Sequence, residues 1–466
     1  MKKSISLIIL ICMIFSMMIS LTSCDAISKI IASFNPPTIN GVKLSEYVIV
    51  YDEDGLDYNK RAAEYIKDRA KAELGLNLKI VDDDTAAAKH EIVVGETKRD
   101  ISKKLDKVHE GLEFSLYFSE DSVAMEGDYF VIAAAAYFFM ETYGYSGCQY
   151  LVPTNEILTH QPIVKEAKNF IMLIGDGMGV YQTLIFDYLQ KECEYSDGES
   201  SFYGYMLPNL GYSMTNSLSG VTDSAAGGTA LACGYKTINE YIGLDQNQQP
   251  IKSLTELASE MGKATAVMST ETKTGATPAS FSAHSYDRDS TTEILASQME
   301  TVAKYGTIID CSFDYYTSKY VGVLEDHIEE TLGKVSSDED GFFLMYEEAH
   351  IDKHCHKNDI TNTYKAVVRF NQAIARFMEF AFYNPDTFVL ITADHETGAL
   401  LPGEDGLLHY NDDDHSGANV RIFAYGQGAE LFNDVTIENI QIAHTIASLM
   451  GEDNFGDQSE YKSLTK

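Results

Sequence analysis

The second half of the chain contains five short, continuous apolar runs, and these runs constrain the fold more than any other feature. Each run ends in small or acidic residues and is followed by a stretch with helical periodicity. Strands that are apolar on both faces are typical of a parallel sheet covered by helices. The runs therefore predict an α/β fold with a doubly wound, mostly parallel sheet over residues 166–466. In chain order they read "NFIMLIGDGMG", "KATAVMSTETKTG", "GFFLMYEEAHID", "TFVLITADHETG" and "RIFAYGQG".

Three of these runs place a carboxylate at or just after the end of the strand, namely Asp176, Glu347 and Asp394. In open α/β sheets, ligands bind at the carboxyl ends of the strands. A buried carboxylate costs free energy unless it is paired with a cation or coordinated to a metal. The convergence of three carboxylates therefore predicts a metal centre at this edge of the sheet.

Residues 38–165 show a different pattern, in which short strands alternate with two helical stretches. This pattern predicts a small α+β accessory domain ahead of the larger domain, and we find no catalytic constellation in it. In pattern alone, the region resembles the accessory domain that precedes the catalytic domain in several extracellular glycoside hydrolases. A role as a spacer or packing module is favoured over sugar binding.

The amino terminus has the features of a secretory signal. Lys2 and Lys3 precede an apolar segment, which ends in "LTSC" at Cys24. This arrangement resembles a bacterial lipobox, whose cysteine becomes the lipidated first residue. We therefore predict a lipoprotein signal peptide over residues 1–24 and a linker over residues 25–37. The protein would be lipid-anchored to the membrane outside the cytoplasm, at the cell surface or in the periplasm; the alternative is a single transmembrane anchor.

Acidic residues outnumber basic ones, with 70 Asp and Glu against 35 Lys and Arg, for a formal net charge of −35. Binding to nucleic acid requires a basic face, so this balance argues against a nucleic-acid partner. An anionic substrate would need a local positive centre. The cysteines outside the signal are odd in number and lack the spacing of a disulfide framework, so no bridge is predicted among Cys148, Cys193, Cys233, Cys311 and Cys355.

Residues 347–359, "EEAHIDKHCHKND", hold seven candidate metal ligands within ten positions. His350 and His354 are four residues apart, and so are Asp352 and His356. Both spacings suit a metal site on a helix, because side chains four residues apart lie on one face. Spacing alone does not choose between them.

The segment "VTDSAAGGTALACGYKT" places Ser224 at the start of a helix of small residues. The positive end of the helix dipole would favour an alkoxide there and, later, an attached phosphate. The alternative is that Thr222, Asp223 or Ser224 simply caps the helix. The segment alone does not separate a nucleophile from a cap.

Six short motifs follow one another along the second domain: "IGDGMG", "VTDSAAGGTA", "ATPASFSAHSYDR", "MYEEAHIDKHCH", "TADHETG" and "DHSG". In this order they resemble the motifs of the alkaline phosphatase family, and the resemblance extends from about residue 168 to 450. It implies an alkaline-phosphatase-like fold and metal-dependent hydrolysis of small phosphorylated substrates.

The resemblance also implies a role for each matching residue. Ser224 would be the nucleophile, which forms a phosphoserine intermediate, and Arg288 would hold the phosphate. The cofactors would be two zinc ions and one magnesium ion. One zinc would be bound by Asp352, His356 and His415, the other by Asp176, Asp394, His395 and the Ser224 oxygen, and the magnesium by Asp176, Thr277 and Glu347.

The chain departs from the family pattern at two places near these ligands. Gly275 stands two residues before Thr277, where the best-studied bacterial members carry an acid. The lysine that pairs with that acid is present as Lys353. With no acid to hold it, Lys353 would either reach the phosphate as a substrate-binding residue or face solvent. Glu348 replaces the small residue that is usual after the magnesium-binding Glu.

Two further comparisons with the family concern size and unused ligands. The spacing from Arg288 to Glu347 and from His395 to His415 is shorter than in the large dimeric members, which favours a compact core and a monomer. Four other residues of ligand type are not expected to bind metal, and we interpret them as structural, as contacts of the ligands, or as solvated: His284, His350, His354 and Cys355.

The predicted activity is hydrolysis of phosphate monoesters with an alkaline optimum. Other branches of the superfamily use the same two-zinc core as phosphodiesterases or phosphonate hydrolases. Thr277, Arg288 and Glu347 favour the monoesterase branch, because the third metal and the arginine fork are features of that branch. A different interpretation is a surface-binding lipoprotein with a vestigial core, and the complete set of ligands argues against it.

Overall fold

The structure is a computed structural model, and it describes residues 36–53, 57–105, 109–144, 149–189, 201–311 and 321–465. It divides into two compact units, one ending at Ile163 and one beginning at Val164. The predicted signal peptide with Cys24, the linker up to residue 35, Cys148 and Cys193 lie outside the described residues. Within the described ranges, no helix combines the length and the apolar character needed to cross a membrane.

The first unit combines strands and helices in the alternating order that its sequence pattern predicts. Among its described residues the α-helices are α1 Asp57–Leu74 and α2 Ile132–Tyr143, and 3₁₀ turns lie at Leu44–Glu46, Ser102–Lys104 and Tyr129–Val131. The strands are β1 Thr38–Ile39, β2 Val42–Lys43, β3 Val48–Tyr51, β4 Lys79–Asp82, β5 Glu91–Val94, β6 Phe114–Phe118, β7 Val123–Gly127, β8 Gln149–Tyr150 and β9 Ile157–His160.

A six-stranded mixed sheet in the order β4-β3-β5-β7-β6-β9 forms the centre of this unit, and a small sheet β2-β1-β8 accompanies it. The strands β4, β3, β5 and β7 are parallel, whereas β6 is antiparallel to both of its neighbours. Helix α1 packs against α2 and β3. Its buried residues recur every three to four positions from Ala62 to Leu74, as expected of an amphipathic helix.

The second unit holds the predicted apolar runs as strands. Its strands are β10 Asn169–Gly175, β11 Asn209–Met214, β12 Ala264–Ser269, β13 Ile308–Asp310, β14 Phe342–Glu348, β15 Thr387–Thr392, β16 Glu396–Thr397, β17 Leu401–Pro402, β18 Leu408–His409, β19 His415–Ser416, β20 Val420–Tyr425 and β21 Thr436–Glu438. Its α-helices are α3 Val180–Thr183, α4 Ile185–Leu189, α5 Ser224–Cys233, α6 Leu254–Glu260, α7 Ala276–Ser280, α8 Thr291–Tyr305, α9 Val321–Val335, α10 His350–Cys355, α11 Ile360–Tyr383 and α12 Asn439–Met450, with 3₁₀ turns at Tyr203–Met206 and Ala429–Phe432.

The central sheet of the second unit has eight strands in the order β13-β12-β14-β10-β15-β20-β11-β21. From β13 to β15 every neighbouring pair is parallel. All residues of β10, β14 and β15 are buried, which explains why their sequences are continuous apolar runs. The predicted α/β fold with a mostly parallel sheet is therefore confirmed.

The fifth predicted run, β20, differs from the other four in direction, because it is antiparallel to both β15 and β11. An apolar run shows that both faces of a strand are buried, but it does not encode which way the strand runs. The carboxyl end of β20 therefore lies at the opposite edge of the sheet from those of β10, β14 and β15. No predicted site residue follows it.

Candidate metal centre

The carboxyl ends of three neighbouring strands bring the predicted carboxylates together. Ile174 of β10 pairs with Glu347 of β14 on one side and with Thr392 of β15 on the other. Asp176 follows Ile174 by two residues, as Asp394 follows Thr392. All three carboxylates are buried at this edge of the sheet, as the strand pattern predicts.

A first group of ligand-type side chains consists of Asp352, His356 and His415. Asp352 Oδ1 lies 3.3 Å from His356 Nε2 and 3.6 Å from His415 Nε2, and the two Nε2 atoms are 3.1 Å apart. Asp352 lies in α10 and His356 directly follows the helix. Because they are four residues apart, their side chains lie on the same face. One carboxylate and two imidazoles suit a zinc ion, and the 36% exposure of the His356 side chain leaves the group open on one side.

Backbone carbonyls fix the tautomers of the two histidines in the first group. His356 Nδ1 donates to the carbonyl oxygen of Asp413 at 2.6 Å, and His415 Nδ1 donates to that of Thr222 at 2.9 Å. Because a carbonyl oxygen only accepts, each ring carries its proton on Nδ1. The Nε2 lone pairs therefore face the group, which is the arrangement that orients histidine ligands in metal sites.

A second group consists of Asp176, Asp352 and His395, with Asp394 beside it. His395 Nε2 lies 3.5 Å from Asp176 Oδ1, 3.3 Å from Asp394 Oδ2 and 3.1 Å from Ser224 Oγ. The structure thus gathers the four residues predicted for the second zinc, and it also brings Asp352 within reach of both groups. Burial lowers the pKa of His395 well below its ordinary value, so the ring is neutral and able to bind a metal.

Ser224 begins helix α5, but it does not cap that helix. The cap is Asp223, whose side chain accepts from the backbone N–H of Ala226 at 2.9 Å. The second oxygen of Asp223 accepts from Arg288 Nη1 at 3.1 Å, which ties the guanidinium to the residue before the serine. The seryl oxygen is therefore left for the metal groups, and the capping alternative for Ser224 is excluded.

The residues predicted for magnesium are Asp176, Thr277 and Glu347, which we call the third cluster. Asp176 Oδ1, Thr277 Oγ1 and Glu347 Oε1 are all buried and have no hydrogen-bond partner among the described residues, and the same holds for Asp394 Oδ2. A buried polar atom without a partner costs about 1–3 kcal/mol. Burial, reinforced by neighbouring carboxylates, also raises the pKa of Asp176 and of Glu347. Divalent cations bound between these oxygens would remove both costs, so the donor set fits the implied metals.

Comparison with known proteins places this geometry in a family. A family model described as alkaline phosphatase matches residues 167–312 and 309–406. The chain belongs to the alkaline phosphatase family. The match covers the strand ends from Asp176 to Asp394 and ends before His415 of the first group.

Individual relatives in the alkaline phosphatase family are similar to more than half of the chain. Alkaline phosphatase 3 of Bacillus subtilis (strain 168) is 30% identical over 297 residues, which cover 53% of this chain and 64% of that relative. The alkaline phosphatase of the Antarctic bacterium TAB5 superposes with a TM-score of 0.55 at 26% identity, over 61% of this chain and 99% of the other. A variant of the TAB5 enzyme solved with Mg bound in its M3 site gives a TM-score of 0.53 at 27% identity, over 62% of this chain and 100% of the other.

In this alkaline phosphatase family member, Lys353 does have an acidic partner. Lys353 Nζ lies 2.5 Å from Glu271 Oε2. The expectation that no acid holds Lys353 is wrong, because the acid comes from four residues ahead of Gly275 and not from that position. Lys353 is therefore held in an ion pair, and 38% of its side chain remains exposed to solvent.

Glu348, which the sequence left without an interpretation, belongs to a buried ionic cluster behind the metal groups. Its Oε1 accepts from the backbone N–H of His350 at 3.0 Å and from Arg369 Nη2 of α11 at 3.4 Å. Burial opposes the charge, but Arg369 and His350 hold the pKa of Glu348 below its ordinary value. The charged Glu348 therefore ties the start of α10, and with it Asp352, to α11.

The residues interpreted as non-ligands belong to neither metal group within the described part of the chain. Burial raises the pKa of the Cys355 thiol to about 12, so this cysteine stays protonated and a poor zinc ligand. His284 Nδ1 contacts the carbonyl oxygen of Gly243 at 2.7 Å, and the His350 ring lies 3.2 Å from Thr270 Oγ1. The cysteines described as free are Cys233, Cys311 and Cys355.

Thr397 is a contact of the site that sequence reasoning missed. Its Oγ1 donates to Asp352 Oδ1 at 2.6 Å and lies 3.2 Å from His395 Nδ1, so it touches both metal groups. Thr397 lies on β16, which pairs with β19 and places Thr397 opposite His415. That pairing also delivers His415 to the first group, and neither two-residue strand has a pattern that predicts it.

Proposed function

We propose that the chain hydrolyses phosphate monoesters, with Ser224 as the nucleophile that forms a phosphoserine intermediate. The observation that carries the proposal is the position of Ser224 Oγ, 3.1 Å from Nε2 of the buried His395 at the first turn of α5. The amino-terminal end of a ten-residue helix favours negative charge on that oxygen. The neighbouring Asp223 takes over the capping of the helix, which leaves the hydroxyl available for chemistry.

The proposed cofactors are two zinc ions and one magnesium ion. When bound, they would lower the pKa of the attacking oxygen and stabilise the charge that develops on the leaving oxygen. Three divalent cations outweigh the charge of the four carboxylates at the site, so a dianionic phosphate meets a local positive centre on an acidic protein. The proposed ligands are Asp352, His356 and His415 for one zinc, Asp176, Asp394 and His395 with Ser224 for the other, and Asp176, Thr277 and Glu347 for magnesium.

The side chains supply positioning and the nucleophile. Arg288, braced by Asp223, presents its guanidinium to two phosphate oxygens as a fork. The bond from Ser224 Oγ to phosphorus forms while the bond from phosphorus to the leaving oxygen breaks, and the serine proton passes through water to that oxygen, which leaves as the alcohol. Water then attacks the phosphoserine, the Oγ–phosphorus bond breaks, Ser224 regains a proton and inorganic phosphate leaves.

The test compares hydrolysis of a chromogenic aryl phosphate with that of an aryl phosphodiester by the purified protein. We expect the monoester to be preferred, and both chelation of metals and Ser224→Ala to lower kcat/KM by about 10³-fold or more. Ser337→Ala is the matched control, because this exposed hydroxyl bonds only a backbone carbonyl of its own turn, that of Lys334.

Three results would count against the proposal. Activity retained in Ser224→Ala would exclude a phosphoserine at this position. A strong preference for the diester, with Ser224 still required, would move the chain to the phosphodiesterase or phosphonate hydrolase branch. A metal-loaded protein that hydrolyses neither substrate would favour a vestigial core.

A further inference from the structure

Gly275 lies at a position where a side chain would overlap with that of Glu271. Gly275 directly precedes α7, the helix that carries Thr277, and its φ of −56° is open to any residue. A Cβ at this position would lie 1.8 Å from Oε1 and 2.2 Å from Cδ of Glu271, which is a steric overlap. The volume that a side chain at 275 would enter is therefore filled by the Glu271 carboxylate.

Glu271 is connected both to Lys353 and to the third cluster. Its Oε2 lies 2.5 Å from Lys353 Nζ, and its backbone N–H donates to Ser269 Oγ at 3.0 Å. The Ser269 hydroxyl in turn donates to Glu347 Oε2. The residue before Glu271, Thr270, donates its N–H to the carbonyl oxygen of Glu347 at 3.1 Å, so the whole turn is fastened to the end of β14.

We propose that Glu271 is a positioning residue of the third cluster: its carboxylate holds Lys353 in place and adds the negative charge that favours a hydrated divalent cation there. The inference deepens the proposed function and rests on it, since it takes magnesium as the cation of the third cluster. Magnesium keeps several of its waters in proteins and uses few direct carboxylates. A carboxylate in the next layer acts on it by orienting those waters.

The Glu271–Lys353 ion pair differs from an ordinary surface pair because it is partly buried and connected to the third cluster. The side chains of Glu271 and Lys353 are only 17% and 38% exposed, and Glu271 reaches a metal ligand through one hydroxyl. A fully exposed pair is screened by solvent and salt and contributes little free energy. Here the two partners have opposite charges beside one cation site, so removing each one should change magnesium affinity in opposite directions.

The experiment is a calorimetric titration of magnesium into the zinc-loaded protein. We expect Glu271→Gln to weaken magnesium binding about 10–100-fold, as loss of an outer-layer partner does in other metal sites. Lys353→Met should tighten it, because a positive charge near the cation is lost, and should weaken inhibition by inorganic phosphate. Glu260→Gln is the matched control, since it breaks the exposed Lys252–Glu260 pair of 2.6 Å in the same unit.

A double substitution tests whether an acid at position 275 can occupy the volume of the Glu271 carboxylate and replace it. Gly275→Asp alone should weaken magnesium binding and lower the melting temperature, because its side chain meets Glu271. Combined with Glu271→Ala, it should restore magnesium affinity to within about threefold of the starting protein, since the acid then enters the same volume from the other side.

The outcomes separate this inference from the proposed function. Magnesium affinity unchanged in Glu271→Gln would overturn the role of Glu271 while monoester hydrolysis stands. A double variant that binds magnesium as weakly as Glu271→Ala alone would overturn the exchange of space between positions 271 and 275. The expected magnesium shifts in a protein that hydrolyses no monoester would overturn the proposed function alone. A Glu260→Gln variant that shifts as much as Glu271→Gln would reduce the effect to general charge and overturn the inference.

Discussion

Hydroxyl groups with no chemistry of their own hold the ligands of this site in place. Thr397 Oγ1 contacts both Asp352 and His395, and thus members of both metal groups. In the third cluster, the Ser269 hydroxyl donates to Glu347. Such contacts fix the orientation of a ligand before the metal arrives. Their loss is expected to reduce metal affinity more than it reduces the stability of the fold.

Thr397→Val tests this at the residue that touches both groups. The substitution keeps the shape of the side chain and removes its hydroxyl, so we expect zinc to be bound about 10–100-fold more weakly. The measurement is zinc retention in competition with a calibrated chelator. Thr436→Val on β21, where the threonine is exposed, should leave retention unchanged. Equal retention in the two variants would contradict the role of Thr397.

Some contacts of the site could be predicted from the sequence, whereas the pairing of Lys353 with Glu271 could not. Asp352 and His356 are predictable as partners because four residues along a helix bring two side chains to one face. Glu271 is not predictable in the same way. Its carboxylate replaces a side chain missing at Gly275, and that exchange becomes visible only when the path of the turn between them is known.

At the scale of elements, α5 owes its position to the small residues in its first two turns. A Cβ on Gly227 would lie 3.0 Å from the backbone oxygen of Asp394, and one on Gly228 would lie 2.9 Å from Ser280 Oγ of α7. The helix therefore approaches the end of β15 closely enough for Ser224 to reach His395. The small-residue sequence after Ser224 is a packing requirement of the site.

Gly227→Ala tests this close approach. The added methyl group has no room beside Asp394, so we expect the unfolding free energy to fall by about 1–3 kcal/mol and kcat to fall as Ser224 is displaced. Gly333→Ala is the matched control, because that helical glycine in α9 has open space around it and should gain about 0.5–1 kcal/mol. Urea unfolding and aryl phosphate turnover measure both effects. A stabilised, fully active Gly227→Ala would show that the helix does not need the glycine.

The central strands could be predicted as elements, but not all of their connections could. Continuous apolar runs identify β10, β14 and β15, and the chemistry of their last residues identifies the edge that binds metal. The antiparallel direction of β20 and the β16–β19 pair that delivers His415 depend on loop paths, which leave no periodicity in the sequence. Those two features came only from the structure.

At the scale of the whole molecule, the metal-free protein keeps buried carboxylates close together. Burial is the main cause that raises the pKa of Asp394, to about 8, and nearby carboxylates add to it. A carboxyl group with a raised pKa in the folded state stabilises the fold while it is protonated. That contribution is complete below the unfolded pKa of about 4 and is lost as the pH rises through the folded pKa.

We therefore expect the metal-free protein to lose stability between about pH 5 and about pH 8, and the metal-loaded protein to lose much less, since bound cations neutralise the carboxylates. Urea unfolding at several pH values, with and without zinc and magnesium, measures the slope. Asp394→Asn should flatten the slope of the metal-free protein, which separates this site from His284, whose pKa is raised by Glu256 despite burial. A slope identical in both proteins would contradict the assignment.

The proposed zinc ligands are spread along the chain from Asp176 to His415, and His415 arrives only through the late β16–β19 pair. A growing polypeptide released from the ribosome in order would therefore expose carboxylates long before their histidine partners exist. The first group cannot close until His415 has emerged, and the second cannot close until His395 has, so we expect metal loading to be a late event in the life of the molecule. The compartment in which the finished chain folds will decide which cations it samples first.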